Sequence, residues 1–525
     1  MKAKNKLALL VFVLVLVKSF LSFFVVSPTI FNDEMLYMRM AANIVHGDFF
    51  LPHALHVYPP LYSLLISPAM LISDISFSYL LVKIINAFLS SLVVIPSYLI
   101  ARWYLEERES FLVAALIGVL PFNFSFSPYV MSENLSYTVV LFTFYFLLRS
   151  FKTEKYRDNI MCGLFLSLSY LTRGGNIALF PLVIISPAIF ILSGKSKLKY
   201  ELCRKLFLIF ISLLILFPWF LSNFLTYGFG LQTFLGSYSI EAELLPRFSV
   251  PSFIYWIMAY IGYIIAASFF ILFLYFIIFI YKESEMVKWL SLMFLLFFII
   301  IAAYHGGISG LSNAFFLKGR PLGRYIAPAI MIMVLFGSIQ LFREQRMFSY
   351  KVKFIYWLAI IPFLFLLLIF NMNHFFPANN IHLSYIGLFN RVFFGNFIFF
   401  LVLPLILPLF FLLILNTRRN TLVSLLFIFF IAVSLLSFSM TVYHSHTKWK
   451  SSDVRQAGLW FNKKEGSVFI LYKPADRTLL HSLFWIRNKF SLEGSPENFD
   501  YVLTKENLDL ELMAQFGDIK IYRGK

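Results

Sequence analysis

Long runs of apolar residues separated by short polar connectors dominate the chain. A run of about 17 to 25 apolar residues is long enough to cross the hydrocarbon core of a bilayer as an α-helix. The pattern predicts thirteen such spans. They cover residues 7–26, 79–101, 111–128, 134–151, 159–174, 176–193, 205–225, 254–281, 288–304, 325–342, 354–370, 396–415 and 421–442.

Composition supports a polytopic membrane protein. Of the 525 residues, 60% are hydrophobic and 13% are charged, whereas soluble domains carry about 25% charged residues. The net charge of +18 does not indicate a nucleic-acid-binding module, because the basic residues lie between apolar runs. The first apolar run is too long for a cleavable signal peptide and lacks a small-residue cleavage site. Two cysteines cannot build a disulfide framework or a cysteine zinc site.

Basic residues predict the orientation, because they favour cytoplasmic loops. With the N-terminus inside, the inner connectors carry 22 Lys and Arg residues and the outer connectors carry 7. The thirteen spans then place the C-terminus outside. The long connectors 27–78, 226–253, 305–324 and 371–395 also face out, so we expect the chemistry on the extracytoplasmic face of the cell membrane, where nucleotide-activated substrates are absent.

The C-terminal segment, residues 443–525, has a different character from the apolar part, residues 1–442. Short β-like runs alternate there with helical patterns, which predicts a small extracytoplasmic α/β domain. The expected strands are 467–473, 501–504 and 519–523, and the expected helices are 453–464 and 477–489. This segment has no nucleophile constellation, metal spacing or phosphate loop, so we interpret it as a cover or docking module.

Three carboxylates lie where outer connectors meet spans. Asp33 and Glu34 follow the first span, and Glu133 begins the fourth. A carboxylate near hydrocarbon is costly unless it is hydrated or paired. Helix capping is the alternative role: Asp33 falls at the expected start of a short amphipathic helix, and a helix N-terminus would stabilise Glu133.

The first connector then reads His56-Val57-Tyr58-Pro59-Pro60, followed by an apolar run over 61–71. The double proline breaks any helix, and eleven residues are too few to span a bilayer. We expect a re-entrant or interfacial helix, of the kind an enzyme needs to draw a lipid substrate from the membrane. A plain surface anchor is the alternative.

Three outward cations, Lys318, Arg320 and Arg324, precede the span at 325–342 and oppose the positive-inside bias. A bound phosphate would compensate them, because Arg forms bidentate hydrogen bonds to phosphate oxygens. Binding of lipid headgroups is the alternative. Arg173 is a weaker member of the set. The histidine pairs lack a third ligand at a convincing metal spacing.

Four motifs occur in a fixed order along the chain. The first connector carries Asp33-Glu34, Tyr37, Ala41, Gly47 and Tyr58-Pro59-Pro60-Leu61, and the second carries Ser132-Glu133. Leu171-Thr172-Arg173 and Gly323-Arg324-Tyr325-Ile326-Ala327-Pro328 follow. Together they resemble the fold-C (GT-C) membrane glycosyltransferases, in the branch of the protein O-mannosyltransferases and lipid A aminoarabinose transferases. Relatives often have Lys or His where Tyr58 stands, and the Trp-Trp-Asp motif of oligosaccharyltransferases is absent.

The resemblance implies an inverting transferase that moves a sugar from a polyprenyl-phosphate (such as dolichyl-phosphate) donor to a hydroxyl of a protein, lipid or glycan. In this interpretation Asp33 is the catalytic base, and Glu34 assists. Glu133 positions the acceptor or helps to hold a divalent cation, Mg²⁺ or Mn²⁺. The resemblance does not assign a cofactor, because members of this branch often work without an obligatory metal. The predicted phosphate-binding set is Arg324, Tyr325, Lys318, Arg320, Arg173, Tyr58 and His56.

Two other functions fit parts of the pattern. A transporter would also have many spans, but it should show repeated halves and charges near the membrane midplane, and no repeat is visible. A non-catalytic lipid-phosphate-binding protein would explain the cations, but it would leave the three carboxylates with capping roles only.

Overall fold

The computed structural model describes most of the chain and supports the expected fold class. The described residues are 3–29, 31–45, 47, 58–192, 198–235, 250–307, 321–344, 380–386, 388, 418–472, 477–492 and 494–524. The predicted spans 354–370 and 396–415 lie outside them, as do His56, Lys318 and Arg320.

The described residues form mainly α-helices, because apolar segments in a membrane must satisfy their backbone hydrogen bonds internally. The helices are α1 (Ala3–Phe23), α2 (Phe31–Val45), α3 (Leu61–Ile66), α4 (Ile75–Ser91), α5 (Val94–Ala101), α6 (Glu107–Gly118), α7 (Pro121–Phe124), α8 (Glu133–Thr153), α9 (Tyr156–Thr172), α10 (Leu179–Leu192), α11 (Leu198–Tyr227), α12 (Leu231–Leu235), α13 (Val250–Ala267), α14 (Ile271–Lys282), α15 (Glu285–Gly307), α16 (Gly323–Arg343), α17 (Arg419–His444) and α18 (Asp453–Trp460). Within the described part, eight helical segments are long and apolar enough to cross a membrane. The chain is a multi-pass membrane protein; the count of thirteen spans stays a prediction.

Two predicted spans differ from the structure. The span predicted at 254–281 is two helices, α13 and α14, because the backbone turns at Phe269 and Phe270, which have φ angles of 58° and 51°. Positive φ is uncommon for residues with a side chain, and the sequence has no Gly or Pro at this position to indicate a turn. The span predicted at 111–128 is a 12-residue helix, α6, followed by the one-turn helix α7.

Glycines allow two pairs of helices to approach closely. A Cβ atom on Gly163 of α9 would lie 2.7 Å from the Leu208 carbonyl oxygen of α11. A Cβ atom on Gly337 of α16 would collide with the backbone of Leu272 in α14. Small residues let transmembrane helices pack backbone to backbone, so these glycines set the spacing within the bundle.

The end of α1 and the end of α17 meet at the same end of the bundle. The Ser445 hydroxyl accepts hydrogen bonds from the backbone N–H groups of Val26 and Ser27, each at 2.9 Å. At the opposite end, Lys6 pairs with Glu107 at 2.8 Å. The first connector and the C-terminal domain therefore share one end of the bundle.

The first connector forms short helices at this end. Helix α2 is followed by α3 and a 3₁₀-helix, Ser67–Leu71. Leu64 and Leu71 in this segment remain 41% and 74% exposed. A short helical segment with exposed leucines fits the interfacial element expected at 61–71.

The C-terminal residues form a small five-stranded sheet in the order β2-β1-β3-β5-β4. The strands are β1 (Val468–Leu471), β2 (Phe490–Ser491), β3 (Tyr501–Thr504), β4 (Leu512–Phe516) and β5 (Ile519–Arg523). Strand β1 pairs in parallel with β2 and β3, whereas β5 is antiparallel to β3 and β4. Three of these strands match the sequence prediction, while β2 and β4 were not predicted.

The sheet domain is docked on the first connector and on α4. Its 3₁₀-helix, Arg477–Phe484, packs against α2. The ring of Tyr79 meets the rings of Phe484 and Trp485 edge to face, with centroids 5.3 and 6.1 Å apart. Edge-to-face pairs add to the apolar contact, so the domain covers the end of the bundle that carries the predicted site.

Candidate active site

The predicted base and the predicted phosphate-binding arginine are in direct contact. Asp33 lies in the first turn of α2 and keeps 22% of its side chain exposed. The Arg324 Nη1 atom, in the first turn of α16, donates to Asp33 Oδ2 at 2.8 Å. The Tyr58 hydroxyl donates to Asp33 Oδ1 at 3.3 Å. Two segments 291 residues apart therefore meet at this carboxylate.

Glu133 extends the charged cluster. It is the first residue of α8, it is fully buried, and it forms an ion pair with Arg173. Arg324 Nη1 also lies 3.9 Å from Glu133 Oε1. The two carboxylates and two guanidinium groups balance in charge, which removes most of the penalty that an unpaired buried charge would carry.

Tyr325 supports both arginines. The guanidinium carbons of Arg173 and Arg324 lie 4.7 and 5.8 Å from the centroid of the Tyr325 ring. Cations at these distances from an aromatic face are attracted to its negative potential. The ring therefore holds the two guanidinium groups side by side at one end of the bundle.

Arg324 retains hydrogen-bonding capacity. Its Nε atom is buried and has no hydrogen-bond partner among the described residues. A buried donor without a partner is unfavourable, so an oxyanion placed beside the guanidinium group would satisfy it. This is the property expected of a phosphate ligand.

Glu34 is directed away from this cluster. It is fully buried, and its two carboxylate oxygens accept hydrogen bonds from the backbone N–H groups of Thr29 and Val130, each at 2.9 Å. Neighbouring residues on a helix do not share a face, which explains why Asp33 and Glu34 have different partners. Glu34 ties the first connector to the second.

A group of tyrosines lies behind Asp33. Tyr37 stacks on Tyr58, with centroids 5.2 Å apart, and meets Tyr62 edge to face at 5.0 Å. The Tyr37 hydroxyl donates to Ser132 Oγ at 2.8 Å. Burial, followed by the charge of Glu133, raises the pKa of Tyr37, so its phenol stays protonated. Sequence reasoning missed Tyr62, whose only signal was its place four residues after Tyr58.

The structure brings together six of the predicted residues: Asp33, Tyr58, Glu133, Arg173, Arg324 and Tyr325. Glu34 lies beside them but faces the backbone, while His56, Lys318 and Arg320 fall outside the described residues. The alternative role of Asp33 as a helix cap requires α2 to begin after it, whereas α2 begins at Phe31. Among the described residues, no group of three His, Cys, Asp or Glu side chains is placed to hold a metal ion.

Comparison with known proteins gives one family match. The sequence profile of the family described as dolichyl-phosphate-mannose-protein mannosyltransferase matches residues 57–221. This range includes Tyr58, Glu133 and Arg173. A search of curated protein sequences finds no match.

Solved structures match over nearly the whole chain. The crystal structure of ArnT from Cupriavidus metallidurans bound to undecaprenyl phosphate is 15% identical, with a TM-score of 0.62, and the match covers 99% of this chain and 98% of ArnT. Its apo structure gives 14% identity and a TM-score of 0.55, covering 100% and 99%. The apo oligosaccharyltransferase of Archaeoglobus fulgidus gives 13% identity and a TM-score of 0.51, and the match covers 93% of this chain and 66% of that enzyme.

Similarity at these identities shows a shared fold. The small C-terminal sheet domain and the helical bundle of this chain both lie within the region matched to ArnT. The resemblance predicted from the motifs is confirmed at that level: the chain has the GT-C fold of the ArnT and protein mannosyltransferase type.

Proposed function

We propose that the chain is a membrane glycosyltransferase that moves a sugar from a polyprenyl-phosphate donor to an acceptor hydroxyl. The observation that carries the proposal is the contact between Asp33 and Arg324, which joins a candidate base to a candidate phosphate ligand. The fold adds support, because ArnT was solved with undecaprenyl phosphate bound. The name of the matched family, which refers to dolichyl-phosphate-mannose, also supports a lipid-phosphate donor.

Arg324 is the proposed phosphate ligand. Its free Nε donor and the nearby Arg173 can bind phosphate oxygens, and arginine forks match that geometry. When the donor binds, Arg324 shares its charge between the phosphate and Asp33. Asp33 and Glu133 already balance the charge of the two arginines, so further cations are needed to neutralise the donor phosphate. Lys318 and Arg320, which precede Arg324 in the sequence, are candidates for this role.

Asp33 is the proposed general base. It accepts the proton of the acceptor hydroxyl while the acceptor oxygen attacks the anomeric carbon. The bond between that carbon and the phosphate oxygen breaks, and polyprenyl phosphate leaves with the bonding electrons. The phosphate is a stable leaving group, so no general acid is needed, in contrast to glycosidases with two carboxylates. A single displacement inverts the anomeric configuration. A positioned base typically contributes about 10²- to 10⁴-fold in rate.

The other acids have supporting roles in this mechanism. Glu133 orients Arg173 and Arg324 through its ion pairs. Glu34 fixes the start of α2, and hence Asp33, by binding backbone N–H groups of two connectors. Tyr58 takes the position where relatives often have Lys or His, and its hydroxyl orients the Asp33 carboxylate.

The distribution of basic residues supports an extracytoplasmic site. Connectors assigned to the opposite end of the bundle, such as those around Lys6 and Arg102, carry 22 of the 29 Lys and Arg residues that lie in connectors. The positive-inside rule then puts Asp33 and the sheet domain outside the cell membrane. A lipid-linked donor suits that face, because nucleotide sugars are absent there.

Purified protein incubated with a panel of polyprenyl-phosphate sugars tests the proposal. Mass spectrometry would follow released polyprenyl phosphate and glycosylated acceptor. We expect Asp33→Asn to lower turnover at least about 10²-fold while donor binding persists. The control Asp74→Asn changes an acid that caps α4 outside the cluster, and it should retain turnover.

Arg324→Ala separates phosphate binding from the chemical step. Its loss removes charge-assisted hydrogen bonds, so donor affinity should fall about tenfold or more. Unchanged donor affinity would show that the phosphate binds elsewhere. Donor binding without transfer to any acceptor in wild-type protein would favour a non-catalytic lipid-phosphate-binding protein.

A further inference from the structure

A second pair of arginines lies at the junction of the first connector and the sheet domain. Arg39 of α2 is 7% exposed, and its guanidinium carbon lies 4.5 Å from the centroid of the Phe490 ring in β2. Arg487, three residues before Phe490, donates to the Met70 carbonyl oxygen at 2.7 Å and to the Ser78 hydroxyl. Both guanidinium groups therefore sit where three structural elements meet.

Neither arginine has a partner for all of its hydrogen-bond donors among the described residues. The Nε and Nη2 atoms of Arg39 and the Nε atom of Arg487 are buried and have no hydrogen-bond partner in the part of the chain that the structure describes. Burial, followed by the charge of Arg487, lowers the pKa of Arg39 to about 9. Two like charges with free buried donors are unfavourable unless an anion joins them.

The local carboxylate does not neutralise both arginines. Asp74 attracts Arg487, but its Oδ1 atom accepts the Phe77 N–H as the cap of α4. One acid then faces two arginines among the described residues, which leaves one positive charge. A bound oxyanion would balance it.

The surroundings identify the source of that oxyanion. Met70 and Ser78, which contact Arg487, adjoin Leu71 and Phe77, whose side chains are 74% and 55% exposed. Large apolar side chains exposed at the end of a transmembrane helix lie among lipid acyl chains and headgroups. An anion that reaches the arginines from this side is therefore the headgroup phosphate of a lipid.

We propose that Arg39 and Arg487 bind the phosphate of an anionic membrane lipid, at a site separate from the Asp33 cluster. Arg39 lies six residues after Asp33 on α2, about 9 Å further along the helix axis. The lipid phosphate would join α2, the interfacial segment and the sheet domain. This inference does not depend on whether the chain transfers sugars.

Lipid titration of the purified full chain in detergent tests the site, with bound lipid counted by native mass spectrometry. The probes are phosphatidylglycerol, diacylglycerol, which lacks the phosphate, and sodium phosphate, which lacks the lipid. We expect phosphatidylglycerol to remain bound to the protein. Diacylglycerol should not remain bound, and sodium phosphate should not change the temperature of thermal unfolding. Equal retention of diacylglycerol, or an equal thermal shift with sodium phosphate, would overturn the proposal.

Variants assign the binding to the arginines. Arg39→Met keeps an apolar stem on Phe490 and should weaken phosphatidylglycerol binding about tenfold. Arg39→Lys keeps the charge but loses the planar guanidinium group, so this variant should bind phosphatidylglycerol several-fold more weakly than wild type. It replaces Arg39→Met as the test if the Met variant does not fold. Arg523→Met, at an exposed pair with Glu511, is the matched control and should bind normally.

Two crossed measurements separate this site from the proposed donor site. Arg324→Ala should leave phosphatidylglycerol binding unchanged, and Arg39→Met should leave polyprenyl-phosphate binding unchanged. Wild-type phosphatidylglycerol affinity in both Arg39 variants would refute the inference.

Discussion

Removing one partner of the buried ion pair between Arg173 and Glu133 should strongly destabilise the protein. Arg173→Met removes the cation and keeps much of the apolar stem. The Glu133 side chain is fully buried and that of Arg173 is 8% exposed, so the carboxylate cannot recover its hydration. Removal of one partner from a buried pair typically costs about 3–5 kcal/mol. Arg324, 3.9 Å from Glu133, can take over part of the pairing, so we expect a loss of about 3 kcal/mol.

The free energy of unfolding can be measured by SDS titration of the protein in mixed micelles. A second variant, Arg173→Met with Glu133→Gln, replaces both charges and should recover about 2 kcal/mol, because no unpaired charge remains. Arg523→Met is the control. Arg523 and Glu511 pair at 2.9 Å and are 55% and 61% exposed, and such surface pairs contribute about 1 kcal/mol or less.

The same substitution should lower activity. When Arg173 is absent, Arg324 moves its charge toward Glu133 and away from Asp33, which disturbs the proposed site without touching the base. A loss of stability below about 1 kcal/mol for Arg173→Met, equal to that of the Arg523 control, would refute the interpretation of Glu133 as a buried, paired carboxylate.

Three further predictions concern the support of the site and the bundle. Glu34→Gln weakens the two hydrogen bonds to backbone N–H groups and should lower the free energy of unfolding by about 1–3 kcal/mol. An unchanged free energy of unfolding would contradict the role of Glu34 in fixing the start of α2. Gly337→Ala should lower thermal stability through overpacking by about 1–3 kcal/mol, whereas Gly230→Ala, with open space around it, should not. Tyr58→Phe removes the hydroxyl contact to Asp33 but keeps the ring, so turnover should fall while the unfolding transition stays within about 0.5 kcal/mol of wild type.

Most of the helical architecture follows from sequence alone. Apolar runs of sufficient length must form helices in a bilayer, because no other local structure satisfies their backbone hydrogen bonds. The helices around Phe23, Tyr170 and Leu335 therefore appear where hydropathy predicts them. The turn at Phe269 and Phe270 was not predictable in this way. Both residues are apolar, so the apolar run continues without interruption in the sequence, and only packing in the folded protein stabilises the break in the helix.

The sheet domain was predictable in part. Strands β1, β3 and β5 contain buried β-branched and aromatic residues, which mark them in the sequence. Strand β2, Phe490–Ser491, has two residues and carries no periodic signal, and β4, Leu512–Phe516, has no buried residue. Their positions depend on pairing with neighbours that are distant in the sequence.

The sequence by itself determined which charged residues are candidates, since acids and arginines at the ends of apolar runs are costly without partners. Only the tertiary structure decided the pairing. It joined Asp33 to Arg324 and Glu133 to Arg173, and it turned Glu34 toward the backbone although it adjoins Asp33 in the chain. Partners in such a cluster are chosen by the packing of helices that approach each other in space, and a linear pattern records residue types and spacing but not those approaches.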